Sequence, residues 1–110
     1  MKIGTLTAPA FASTLLDNAQ RPGFRISELQ MCPTQQVPLH LHTAAQETFH
    51  VLSGSLKLSL REPKQAIALD PGETFTVQSG RPHRVANGGE TSATYPVFQG
   101  IGEYDYAPLV

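Results

Sequence analysis

The clearest pattern in the chain is the alternation over Leu56-Lys57-Leu58-Ser59-Leu60-Arg61, with leucines on one parity and polar residues on the other. Successive side chains of a strand point to opposite faces, so this segment predicts a half-buried strand of an antiparallel sheet. Similar short segments flank it. Phe24 to Met31 predicts a strand stopped by Pro33, Val37 to His42 another, and Glu47 to Leu52 a third that Ser53-Gly54-Ser55 turns back. Further on, Ala66 to Leu69, Thr74 to Val77, His83 to Asn87 and Ala93 to Gln99 read as strands. Between them stand turn signals at Glu62-Pro63-Lys64-Gln65, Asp70-Pro71-Gly72-Glu73, Gln78 to Pro82 and Gly88-Gly89. Pro96 lacks a ladder donor, so the last strand is expected at a sheet edge or a bulge. Met1 to Arg21 and Gly100 to Val110 lack this order and are expected to be irregular arms, the second carrying Tyr104, Tyr106 and Leu109. Short strands at close spacing, Gly and Pro turns and almost no helix predict an all-β sandwich or barrel.

A length of 110 residues gives one domain with one core. The chain is 40% hydrophobic and only 15% charged, below the typical share of about a quarter, which a buried sheet-rich body or an oligomer interface would explain. A net charge of −1 without a basic run argues against nucleic acid and anionic membrane surfaces as partners. The single cysteine, Cys32, excludes an internal disulfide and a multi-cysteine zinc site, and its default role is packing. Ala10-Phe11-Ala12 has the small-residue pattern of a signal-peptidase site, yet Gly4, Thr5, Thr7 and Pro9 leave no apolar segment ahead of it. With no run of transmembrane length, the expectation is an unprocessed cytoplasmic protein.

Chemistry concentrates between Pro38 and Gly54. His40 and His42 stand two apart, so on a strand both imidazoles share a face. Glu47 follows after four residues able to turn, which returns its carboxylate to the same spot from the next strand. Two imidazoles and a carboxylate with open positions form the ligand set of a mid-row divalent metal. Taken singly, each has a plainer role: a hydrogen-bonded or surface histidine, or a solvated glutamate at a strand end. Parity puts Phe49 and Val51 on the inward face with Glu47, and Val85 with His83, as an apolar pocket wall, while His50 and Arg84 point outward. Arg81, two residues before His83, is a candidate for the pocket mouth, where it would meet an anionic substrate group, but the favoured expectation is a solvated loop arginine. Gly54, Gly72 and Gly80 read as turn glycines and Asn87 as a turn hydrogen-bonder.

His40-x-His42, four residues, Glu47, six residues and Gly54 resemble the first signature of the cupin superfamily. Gly72, five residues, Gln78-Ser79-Gly80, two residues, His83, three residues and Asn87 resemble its second. Thr34 stands where the first motif usually opens with Gly, and Gln78 where the second usually has Pro; both are backbone positions. The resemblance implies a double-stranded β-helix, or jelly-roll barrel, whose metal is held by His40, His42, Glu47 and His83. Three imidazoles and one carboxylate suit Fe(II), slightly favoured, or Mn, Ni, Co or Zn, and are too nitrogen-rich for Mg or Ca. On a six-coordinate ion they leave two positions open.

The expected function is that of a small mononuclear-metal enzyme, such as a dioxygenase, acting on a small chelating organic substrate. The alternatives are a non-redox metal-dependent isomerase or decarboxylase, and a non-catalytic small-molecule binder or sensor. The last is disfavoured because so short a chain carries no effector domain. A homodimer is expected, with the irregular ends as the segments to cross over, since sandwich edges need cover.

Overall fold

A computed structural model describes residues 13–102 and 105–109. They form ten strands: β1 (Thr14–Arg21), β2 (Phe24–Met31), β3 (Gln36–Leu41), β4 (Gln46–His50), β5 (Leu56–Leu60), β6 (Gln65–Leu69), β7 (Thr74–Val77), β8 (His83–Asn87), β9 (Ala93–Gly100) and β10 (Ala107–Pro108). One antiparallel sheet runs β1-β2-β9-β4-β7 and the other β10-β3-β8-β5-β6, giving the expected two-sheet jelly roll. Among the described residues no helix is long and apolar enough to cross a membrane.

The period-2 pattern does what it predicts. Leu56, Leu58 and Leu60 of β5 are buried while Lys57 is exposed. They meet Val37 and Val85 of their own sheet and Phe49, Val51, Val77, Tyr95 and Val97 of the facing one in a single core cluster. Burying a side chain of this size contributes about 1.5–3 kcal/mol. Gly54 closes the turn after β4 with φ +74, and a Cβ there would stand 2.6 Å from the Ser92 carbonyl oxygen. Only glycine fits that approach.

The structure corrects the expectation at both ends. Thr14–Arg21, expected to be irregular, pairs with β2 through a hairpin at Pro22-Gly23. Pro22 before Gly23, with φ +75 at the glycine, is the type II turn pattern. All eight residues of β1 are exposed, so burial imposes no hydrophobic period on it. Residues 1–12, the rest of that arm, lie outside the described residues, as does Tyr104. In the C-terminal arm Ala107 and Pro108 pair with Leu41 and His40 as β10. The last long strand, β9, is central rather than at an edge. Its ladder to β4 stops at Val97 and resumes in the Ser53–Thr94 bridge, so Pro96 falls where no donor is required on that side.

Candidate metal centre

Strand β3 carries His40 opposite His83 of β8, with a register shift between Val37 and His40. Strand β4 brings Glu47 from the facing sheet. All four side chains of His40, His42, Glu47 and His83 are buried, and one ligand atom from each lies within 4.8 Å of every other. The His40 ring centroid is 4.9 Å from that of His42 and 4.3 Å from that of His83. Glu47 Oε1 lies 2.8 Å from His83 Nε2 and 3.2 Å from His42 Nε2.

The opposite nitrogen of each ring faces a main-chain carbonyl. His40 Nδ1 is 2.7 Å from Pro38 O, His83 Nδ1 is 2.9 Å from Arg81 O, and His42 Nδ1 meets Asp105 O. A carbonyl only accepts, so Nδ1 carries the proton and Nε2 of the neutral ring presents a lone pair. Three such lone pairs then converge with a carboxylate oxygen. Without a cation between them, a ring facing Glu47 must take a second proton to avoid setting its lone pair against an anion. The donor set therefore fits a divalent transition metal.

The charges agree. Burial holds His40 down at about 4, helped by His83, so it stays neutral. Burial would raise Glu47, but His42 and His83 beside it keep the carboxyl well below its usual range. For His42, burial lowers the pKa and the Glu47 carboxylate outweighs it, for a net rise.

The family described as Cupin domain matches residues 28–98, which include all four converging side chains. This chain is a cupin. Its sequence is 30% identical over 100 residues to germin-like protein subfamily 3 member 1 of Arabidopsis thaliana, covering 84% of this chain and 45% of that protein. An oxalate oxidase shares the fold at a TM-score of 0.72 and 22% identity, over 79% of this chain and 46% of that one. The Lactobacillus farciminis oxalate decarboxylase does so at a TM-score of 0.79 and 14% identity, over 96% of this chain and 34% of that one. The cupin thus spans less than half the length of each of these three proteins.

The surroundings of the cupin centre match the expectations unevenly. Phe49 is buried with its ring 6.2 Å from His83, edge to face. Val51 and Val85 are buried in the core cluster, His50 is half-buried and Arg84 exposed. Asn87 bonds the Met31 and Thr91 carbonyls and the Gly89 amide. Arg81 is not held toward the centre. Its guanidinium donates to the Arg61 and Pro63 carbonyls and to Gln65 Oε1, tying down the β5–β6 connection. Strand parity does not extend through the loop that carries it.

Three contributors escape the sequence pattern. Gln99, buried on β9, donates from Nε2 to Glu47 Oε2 at 2.5 Å. Asp105 supplies the carbonyl for His42, and its carboxylate accepts from the Thr43 N–H at 2.8 Å and Oγ1–H at 2.6 Å. Tyr106 lies on His40 with ring centroids 4.7 Å apart and planes at 31°. Gln99 shares the inward parity of Tyr95 and Val97, so a polar residue on an apolar parity was the available signal. Asp105 and Tyr106 gave none.

Proposed function

We propose that His40, His42, Glu47 and His83 hold one divalent transition metal and that the protein is a mononuclear-metal enzyme oxidising a small chelating organic acid. The observation that carries this reading is the turning of three imidazoles by main-chain carbonyls, with Nε2 of His42 and of His83 facing Glu47 Oε1 and His40 gathered into the same buried cluster. A bound metal supplies Lewis acidity and, for iron or manganese, electron exchange with dioxygen. The chain's own residues do the rest. Glu47 contributes the negative charge, burial keeps His40 neutral and available as a donor, and Phe49 walls one side against water. The fold shared with an oxalate oxidase supports a substrate of two closely spaced oxygens, as an analogy of fold.

The test is elemental analysis of protein purified without chelators or a histidine tag, followed by oxygen uptake with oxalate, glycolate, catechol and diketone substrates. One metal per chain and uptake with at least one substrate are expected. A loaded protein that takes up no oxygen overturns the oxidative part. A second reading, non-redox decarboxylation or isomerisation, draws on the fold shared with an oxalate decarboxylase over 96% of the chain. Turnover that persists under argon with zinc identifies it. Ligand-induced thermal stabilisation without product marks a binding protein instead.

A cytoplasmic homodimer belongs to the same proposal. Strand β1 is an exposed sheet edge carrying Leu15 and Leu16, and such an edge is a template for pairing. A monodisperse monomer in solution overturns it.

A further inference from the structure

Glu47 is the anionic member of the centre, and its two oxygens have different neighbours. Oε1 faces His83 Nε2 and His42 Nε2, while Oε2 accepts from Gln99 Nε2. Gln99 stands directly opposite Glu47 in the β4–β9 ladder, is 5% exposed, and has its own Oε1 buried without a hydrogen-bond partner. The amide is thus satisfied at one end only. A glutamine kept for packing would be bonded at both ends or replaced by an apolar side chain, because an orphaned buried carbonyl is unfavourable. Turning the amide over would set its carbonyl oxygen against the carboxylate, so its orientation is fixed.

We infer that Gln99 is a positioning residue that holds Glu47 Oε2 out of the centre, so that the carboxylate offers Oε1 alone and two metal positions stay open for a bidentate oxygen ligand. The inference rests on the metal reading above and concerns what the centre admits rather than whether it binds metal. A carboxylate can ligate through one oxygen or both. Without the Gln99 donor, Oε2 is released to take one of the two positions. The ligand class that follows is a small 2-hydroxy acid, 2-oxo acid or dicarboxylate, which needs both.

The test compares the wild type with Gln99→Met, similar in length and without a donor. Each is loaded with manganese and titrated calorimetrically with glycolate, which binds through two oxygens, and with azide, which binds through one nitrogen. Manganese affinity is expected to fall by no more than the roughly 10–100-fold that an orienting partner contributes, so the variant still loads. Glycolate binding should weaken roughly tenfold or more, about 1.4 kcal/mol, with azide binding unchanged. Should the methionine variant not fold, Gln99→Asn, whose amide is one methylene short of Oε2, is read by the same criteria. Equal weakening of both ligands, or undiminished glycolate binding, overturns the inference while leaving the metal reading intact. A wild type that binds no manganese or other divalent transition metal overturns both.

Discussion

On the wall formed by β3 and β8 each imidazole is turned by a main-chain carbonyl, whereas on the wall formed by β4 and β9 the Glu47 carboxylate is turned by a side chain, Gln99. The settings differ too. Behind the histidines lie Val37, Leu58, Leu60 and Val85, all apolar. Beside Glu47 runs a buried polar row, with Gln99 opposite it and Arg25 opposite Gln99. Ser27, also buried, shares the Asn18 Oδ1 acceptor with Arg25. A carbonyl survives substitution of the residue that carries it, while a side-chain donor does not. One wall thus orients its imidazoles through the fold itself, and the other leaves its carboxylate open to adjustment by single substitutions.

The largest break in that contrast comes from removing a ligand. His83→Ala should abolish stoichiometric metal, a loss beyond the roughly 10–100-fold that an orienting partner contributes. Elemental analysis after dialysis reads it, and a variant that retains one metal per chain would remove His83 from the ligand set. Next in size is stability. Leu58→Ala on the histidine wall should cost about 2–5 kcal/mol in urea unfolding, as a fully buried leucine. Ser27→Ala on the other wall should cost only about 1 kcal/mol, the usual net value of a hydrogen bond. Equal costs would mean that the polar row carries as much of the fold as the apolar core.

The metal-free protein should also respond to pH. Burial lowers His40 from 6.5 to about 4, so the unfolded chain takes the proton first. The stability from keeping His40 neutral is fully present above pH 6.5 and is lost as pH falls from there towards 4. At about 1.4 kcal/mol per unit this amounts to roughly 3 kcal/mol. Glu47, depressed by His42 and His83, adds stability above its ordinary value of 4.5 that is lost as pH falls further. His42 is raised by Glu47 and works the other way: its contribution is present below pH 6.5 and is lost as pH rises through its folded value. Urea midpoints should therefore peak near neutrality and fall in acid. A flat profile would show that these groups are not held in the balance described.

The two walls were also unequally legible in the sequence. His40-x-His42 and Glu47 announce themselves because ligand types at strand spacing in an apolar setting are uncommon, and the second motif added His83. Gln99 does not, since its place on the inward parity of Tyr95 and Val97 marks it as unusual without saying what it meets, and Pro96 points that strand toward an edge. The core strands were legible because burial on one face writes a period of two into Leu56 to Arg61. Strand β1, exposed on both faces, carries no such record, and its pairing is set by the Pro22-Gly23 turn.

Asp105 provides the smallest and most discriminating substitution. Its carbonyl turns His42, while its carboxylate clamps the tail through the Thr43 N–H and Oγ1–H. Asp105→Ala removes the clamp and leaves the carbonyl chemically intact. Each lost bond is worth about 0.5–1.5 kcal/mol, and β10 still pairs with β3 beyond it. If main-chain orientation is robust, metal affinity should fall less than about tenfold, below the range typical of an orienting partner. Metal competition with a calibrated chelator measures it. A loss near 100-fold would mean that the carbonyl depends on the side chain beneath it, and that His42, like Glu47, is held by a contact one substitution can remove.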